Sequence, residues 1–262
     1  MSQPHRSEVV ACLESFMLRM PASHPAVEPL RFPGLRGQRV AITATPLTNL
    51  VGVAAPGTVV DRPLIRAVRQ EFASLGLPFG WLVGPYSPDG LGELLETEGM
   101  ALMAQFSGMH SNDPTPIDVP AGVEVREVGP DDQPLFREVL REAFGLPMDV
   151  ARFMCEALYF NQAERPCRNY LAWLDGVHAP VGAASSVYEA EAPVVHLAGA
   201  AVLEEHRRRG AYHGLVARRQ ADSRSDGVTT FVIQALRNTS APICRSLGFE
   251  EVCAQSLYAW SP

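Results

Sequence analysis

The chain has 262 residues, 47% of them hydrophobic and 19% charged, which excludes a disordered polymer and allows one large domain or two modest ones. All 22 basic residues are arginine; without lysine there is no Schiff-base chemistry and no G-x-x-x-x-G-K-[ST] phosphate loop. A net charge of −7 lacks the basic footprint of a nucleic-acid binder, and five cysteines without C-x-x-C argue against a disulfide framework or structural zinc.

Val9, Leu13, Phe16 and Met20 fall at helical spacing. Glu14 interrupts the apolar run there, so an amphipathic helix is expected rather than a secretory leader. No run reaches the roughly 18 apolar residues of a membrane helix, and a cytoplasmic protein with reduced thiols is expected. Val51–Ala54 reads as a strand, and Leu64, Ile65, Val68 and Phe72 mark a helix face. Phe79–Val83 reads as a strand, and Leu91, Leu94 and Leu95 as a short helix before Gly99.

Between Ser111 and Pro120 a polar stretch with three prolines biases the backbone toward an extended connector. The domain boundary is placed there, giving domains 1–118 and 119–262. Val123–Val128 then alternates apolar and charged residues, as a half-buried strand does. Pro130-Asp131-Asp132 can start a helix through Leu135, Phe136, Val139, Leu140 and Phe144, which Gly145 and Pro147 end. A second helix pattern runs from Val150 to Leu158. Strands are expected at Tyr170–Leu174, Val181–Tyr188 and Val194–Val202, with Asp175-Gly176 as a turn. A helix from about Gly210 to Ser223, a strand Val228–Ile233, a short helix Ala241–Ser246 and strand residues Phe249–Trp260 complete the chain. Antiparallel strands before one β-α-β unit give a mixed, mostly antiparallel α/β sheet, not a doubly wound one. The first part repeats strand–helix–strand–helix in the same order, as an internal duplication would.

The segment richest in chemistry is the strand 194–202 and the turn after it. Arg207-Arg208-Arg209-Gly210-Ala211-Tyr212 leads straight into a helix whose first amides lack intrahelical partners. The helix dipole and three arginines favour an anion there, and small residues let it reach the backbone. A solvated basic helix start is the plainer alternative. The histidines offer no H-E-x-x-H pair, and no metal is expected. No G-x-S-x-G nucleophile motif occurs.

This segment resembles the signature of the GCN5-related N-acetyltransferases (GNAT), [RQ]-x-x-G-x-[GA], with Tyr212 where Gly or Ala is usual. The later Asn238 and the Ser246-Leu247-Gly248-Phe249 turn match the family in order and spacing. The resemblance covers about 122–260 and implies two tandem GNAT-like domains, only the second holding acetyl-CoA. It implies cofactor contacts from Ala200, Ala201, Val202, Arg207, Arg208, Arg209, Gly210, Ala211, Tyr212, Asn238 and Ser240. The strand amides before the turn would meet the developing oxyanion. Counting eleven residues back from Arg207, where many members carry a Glu base, gives His196; Glu189 and Glu191 are the alternatives. Cys244 stands where the family often has a Tyr acid, and is either a proton donor or a packed residue. The implied activity is acetyl transfer to a primary amine on a small molecule or peptide in a ternary complex; Phe144–Pro147 and Tyr188 would wall the acceptor. A non-catalytic acyl-CoA-binding module is the rival, and a phosphate or RNA binder a third reading. No nucleic-acid or membrane partner is expected; a homodimer is compatible.

Overall fold

The structure is a computed structural model that describes residues 4–112, 114–190 and 192–262. In chain order it contains α1 (Arg6–Phe16), β1 (Val27–Pro29), β2 (Leu35–Val40), β3 (Leu50–Val53), α2 (Arg62–Ala73), β4 (Phe79–Val83), α3 (Leu91–Thr97) and β5 (Ala101–Asn112). There follow β6 (Val123–Val128), α4 (Gln133–Phe144), α5 (Met148–Met154), β7 (Cys167–Leu174), β8 (Gly182–Tyr188) and β9 (Val194–Val202). The chain ends with α6 (Ala211–Ser225), β10 (Thr230–Leu236), α7 (Ser240–Ser246) and β11 (Glu250–Trp260). From β6 onward the expected order is found. α5 runs on through a π-type turn, Cys155–Tyr159.

Among the described residues two compact units form: 110–233 with residues 4 and 5, and Arg6–Met109 with Gln234–Pro262. Packing thus divides the chain differently from the connector near 118, because β11 pairs with β4 rather than with the strands of its own half. Ser111 and Asn112 end β5, so the extended connector starts later than expected; Asp113 lies outside the described residues.

In the 110–233 unit the strand order is β10-β9-β8-β7-β6. β6–β7, β7–β8 and β8–β9 are antiparallel and β9–β10 is parallel. One face of this sheet packs on α6 through Tyr170, Ala184, Val202, Ala211 and Leu215. Phe136, Leu140, Tyr159, Leu171 and Ala183 form a second cluster with α4 and the π-type turn. Gly145, with φ 64°, ends α4 in the left-handed conformation that an L side chain resists.

The other unit repeats the plan, with β1–β2 and β2–β3 antiparallel and β3–β4 parallel across α2. Its core is built on Trp81, Phe72, Phe79 and Ile65, with Phe72 and Phe79 stacked at 4.6 Å. α1 supplies a buried carboxylate, Glu14, which accepts hydrogen bonds from Gln255 Nε2 (3.0 Å) and the Tyr86 amide (3.3 Å). A Cβ on Gly84 would lie 1.9 Å from Glu14 Oε1, so only glycine leaves room for that side chain. Burial raises the Glu14 pKa, partly offset by these two bonds.

A raised carboxyl pKa means that the fold holds the proton more tightly than the unfolded chain, so stability falls as pH rises past the ordinary carboxyl range. Glu14→Gln mimics the protonated acid. Its Tm should exceed that of the native chain at about pH 8, with the gap closing at acidic pH. A lower Tm at both extremes would show that the carboxylate itself is stabilising.

Candidate active site

β9 is the strand on which the site is built. Its parallel ladder with β10 pairs Val194 with Thr230, Val195 with Phe231 and His196 with Val232, and there it ends. β9 continues to Val202, and its residues change from buried at 194–197 to half-buried at 198–200. Among the described residues the ladder between these two strands goes no further than His196.

A bulge sits in this stretch. β8 and β9 pair Ser185 with Ala198 and Ala183 with Ala201, so β9 carries one extra residue between the two pairs. Gly199 takes φ 59° there, a left-handed conformation, and a Cβ on it would lie 2.6 Å from the Tyr159 hydroxyl. From the α6 side, the fully buried Arg219 donates from Nη1 to the Ser185 carbonyl (3.1 Å) and the Ala198 carbonyl (3.4 Å).

The turn after β9 is exposed at Arg207, Arg208 and Arg209. Arg208 has φ 62°, the single non-glycine with positive φ among the described residues, and Gly210 has φ 90°. Left-handed residues two apart curl a turn so that successive N–H groups can converge, the backbone arrangement of an anion-binding nest. Gly210 caps α6 with no side chain, and among the described residues the amides of Arg208, Arg209, Gly210 and Ala211 meet no main-chain acceptor. Arg207 Nε folds back on the Val202 carbonyl (3.2 Å). Pro120 and Val123 pack behind Gly210. The exposed turn, its left-handed residues and its arginines suit an anion.

His196 is 2% exposed, at the last position of β9 that pairs with β10. Its Nε2 lies 3.3 Å from Glu189 Oε1, so two of the alternative bases form one dyad. Glu191 lies outside the described residues. Tyr188 is not an open wall: its hydroxyl donates to Asp226 (2.7 Å), which Arg168 also holds. Burial pushes the Tyr188 phenol up to about 12.

The remaining sequence candidates fall in the other unit. Asn238 is exposed, Ser240 is half-buried at the start of α7, and Cys244 is fully buried on it. The sealed Cys244 thiol suits the packed-residue alternative. Tyr159 and Arg219 were missed, since a Tyr in a loop-like stretch and an Arg in a helix carry no motif. Among the described residues no group of His, Cys, Asp and Glu could hold a metal ion, and no helix is long and apolar enough to cross a membrane.

No family model and no curated protein matches the chain. Solved structures do. A GCN5-related N-acetyltransferase from Kribbella flavida superposes with TM-score 0.69 at 20% identity, over 98% of this chain and 95% of that one. Another from Sphaerobacter thermophilus gives 0.61 at 18% identity, over 81% and 72%. A tandem GNAT protein from the clavulanic acid biosynthesis pathway gives 0.56 at 15% identity, over 96% and 87%. The chain thus has the GNAT fold, on a tandem plan.

Gly199→Ala would force a side chain into left-handed backbone and against Tyr159. A loss of about 1–3 kcal/mol in urea unfolding is expected. A change near zero would mean that the bulge relaxes freely.

Proposed function

We propose that the protein is an acetyl-CoA-dependent N-acetyltransferase whose cofactor turn is Arg207–Tyr212 and whose acceptor is a primary amine. The observation that carries this reading is the conjunction of an uncapped nest at the start of α6 with a β9 edge that leaves its ladder at His196. The nest suits a diphosphate, and the β9 edge suits an extended amide-bearing arm, which bonds to main chain as a strand does. Acetyl-CoA supplies an acyl group activated as a thioester; the chain supplies placement and proton handling.

The acceptor reaches neutral pH as an ammonium ion and cannot attack until it loses a proton. His196, buried beside Glu189, is the proposed base, acting directly or through a water. Glu189, with Oε1 3.3 Å from Nε2, would stabilise the imidazolium once formed. Arg208 and Arg209, exposed on the turn, add positive potential for the diphosphate. Ala200, Ala201 and Val202 line the arm.

The two repeats correspond to residues 1–118 and 119–262 in this reading. Their helix starts differ in charge. In α2 the Asp61 side chain accepts from the Leu64 amide (2.9 Å), and Pro63 removes another donor. A carboxylate occupying the helix start repels a diphosphate, so the first repeat is assigned no cofactor. The rival reading, a binding module without catalysis, draws on the sealed Cys244.

Calorimetry with coenzyme A and with pantetheine tests the turn. Coenzyme A should bind at least about 100-fold tighter, since only it carries the diphosphate; equal affinities would remove the proposed role of 207–212. A thiol-release screen over amines then separates enzyme from module: binding without release from any amine favours the module. In the active case His196→Ala should lower kcat/KM about 100-fold or more, with the acidic limb of the pH profile lost. An unchanged rate over about pH 6–9 would dismiss His196.

A further inference from the structure

Tyr159 ends the π-type turn Cys155–Tyr159, closed by the Phe160 amide on the Cys155 carbonyl (2.9 Å). Such turns cost helix stability and persist where a side chain has to be re-aimed. The ring is buried, 4% exposed, and leans on Phe136 at 5.7 Å. Its backbone is pinned as well. The Tyr159 carbonyl accepts from Asn169 Nδ2 (2.7 Å), and Asn169 Oδ1 accepts from Ser185 Oγ (2.7 Å). Ser185 is the β8 partner of Ala198, so the chain of bonds ends at the bulge itself.

The hydroxyl therefore has little freedom. It rests over Gly199, where any other residue would place a Cβ 2.6 Å away. Among the described residues it meets no hydrogen-bond acceptor, although nearly all of the side chain is buried. The hydroxyl oxygen is not among the sealed, unpartnered polar atoms, so it stays reachable for a ligand that can take its proton. Burial also holds its pKa well above the ordinary value, so it remains a donor across the working pH range.

We propose that the Tyr159 hydroxyl is a further catalytic group, donating a hydrogen bond to the carbonyl oxygen of an acyl thioester laid along the Ala198–Ala200 bulge. The inference rests on the transferase reading for its ligand, but on Tyr159, Gly199 and Asn169 for its geometry. As the amine adds to the carbonyl carbon, the oxygen gains negative charge, and a fixed donor there strengthens its bond when it is most needed. Arg219 is a positioning residue in the same assembly: by holding the Ser185 and Ala198 carbonyls it fixes the bulge under the phenol.

The test is isotope-edited infrared spectroscopy of acetyl-CoA, carbon-13 labelled at the thioester carbonyl, bound to the full chain and to Tyr159→Phe. The native protein should shift the carbonyl stretch to lower frequency, and Tyr159→Phe, which keeps the ring, should lose that shift while binding acetyl-CoA within about threefold of native affinity. Replacing the tyrosines by a fluorotyrosine, a stronger donor on an unchanged backbone, should deepen the shift. Where an acceptor is found, kcat should fall about 10- to 100-fold in Tyr159→Phe with KM for acetyl-CoA little changed. Binding with the same stretch in both proteins overturns the role of Tyr159 and leaves the transferase reading standing. No binding to the native chain overturns both.

Discussion

A parallel ladder that stops after three residue pairs is the constraint from which the rest of the site follows. Up to His196, β9 is an interior strand with its main-chain groups spent on both neighbours. Past His196 the described residues show its ladder with β8 continuing and the one with β10 not. A strand edge with unspent N–H and C=O groups is costly when buried and useful when a ligand can complete it. The bulge at Gly199 lies on this edge and re-aims it, so that Ala198 packs toward α4 while Ala200, two residues on, packs toward α6. That reversal breaks the period-two rule of an ordinary strand. It gives the edge two faces within one turn of chain, one beside Tyr159 and one beside the α6 start.

The other compact unit carries the same scaffold with different side chains. β3 and β4 are also parallel across a helix, but the Leu18 side chain presses on Gly52, and Leu50, Leu82 and Leu257 close a small apolar cluster around it. The start of α2 carries its own carboxylate cap and the start of α6 carries none. Identical backbone plans thus differ through a few side chains: Asp61 against Gly210 at the helix start, and Leu18 against open edge at the strand. The two helix starts thus differ in which main-chain groups the chain has already satisfied for itself.

Much of this was legible in the residues. Strands such as β6 and β9 were readable because alternation and apolar runs report directly on burial, and α4 because Gly145 marks its end. β1, β2 and β5 were not. Gln38 is buried on β2, bonded to the Met17 and Thr48 carbonyls, and Gly37 beside it is small, so the apolar pattern of that strand is erased. β5 exposes Leu102 and Met103 and buries Ser107, which inverts the usual signal. The nest was anticipated from Arg-rich sequence and glycine, yet its left-handed Arg208 could not be, because position-specific strain leaves no compositional trace. The His196–Glu189 dyad depends on a hairpin, and Tyr159 over Gly199 on a π-type turn; both are contacts of the fold rather than of the sequence. Asn238, Ser240 and Cys244 were placed by linear spacing, which does not show that β11 and α7 pack with β4's unit.

The central claim is that main-chain amides of the β9–α6 turn grip a diphosphate. Backbone amide spectra of nitrogen-15-labelled protein, followed through a titration with coenzyme A, address it most directly. The account predicts that the resonances of Arg208, Arg209, Gly210 and Ala211 move furthest, with Ala198–Ala200 following as the arm lies along β9. Saturable binding that leaves those turn amides unmoved would contradict it.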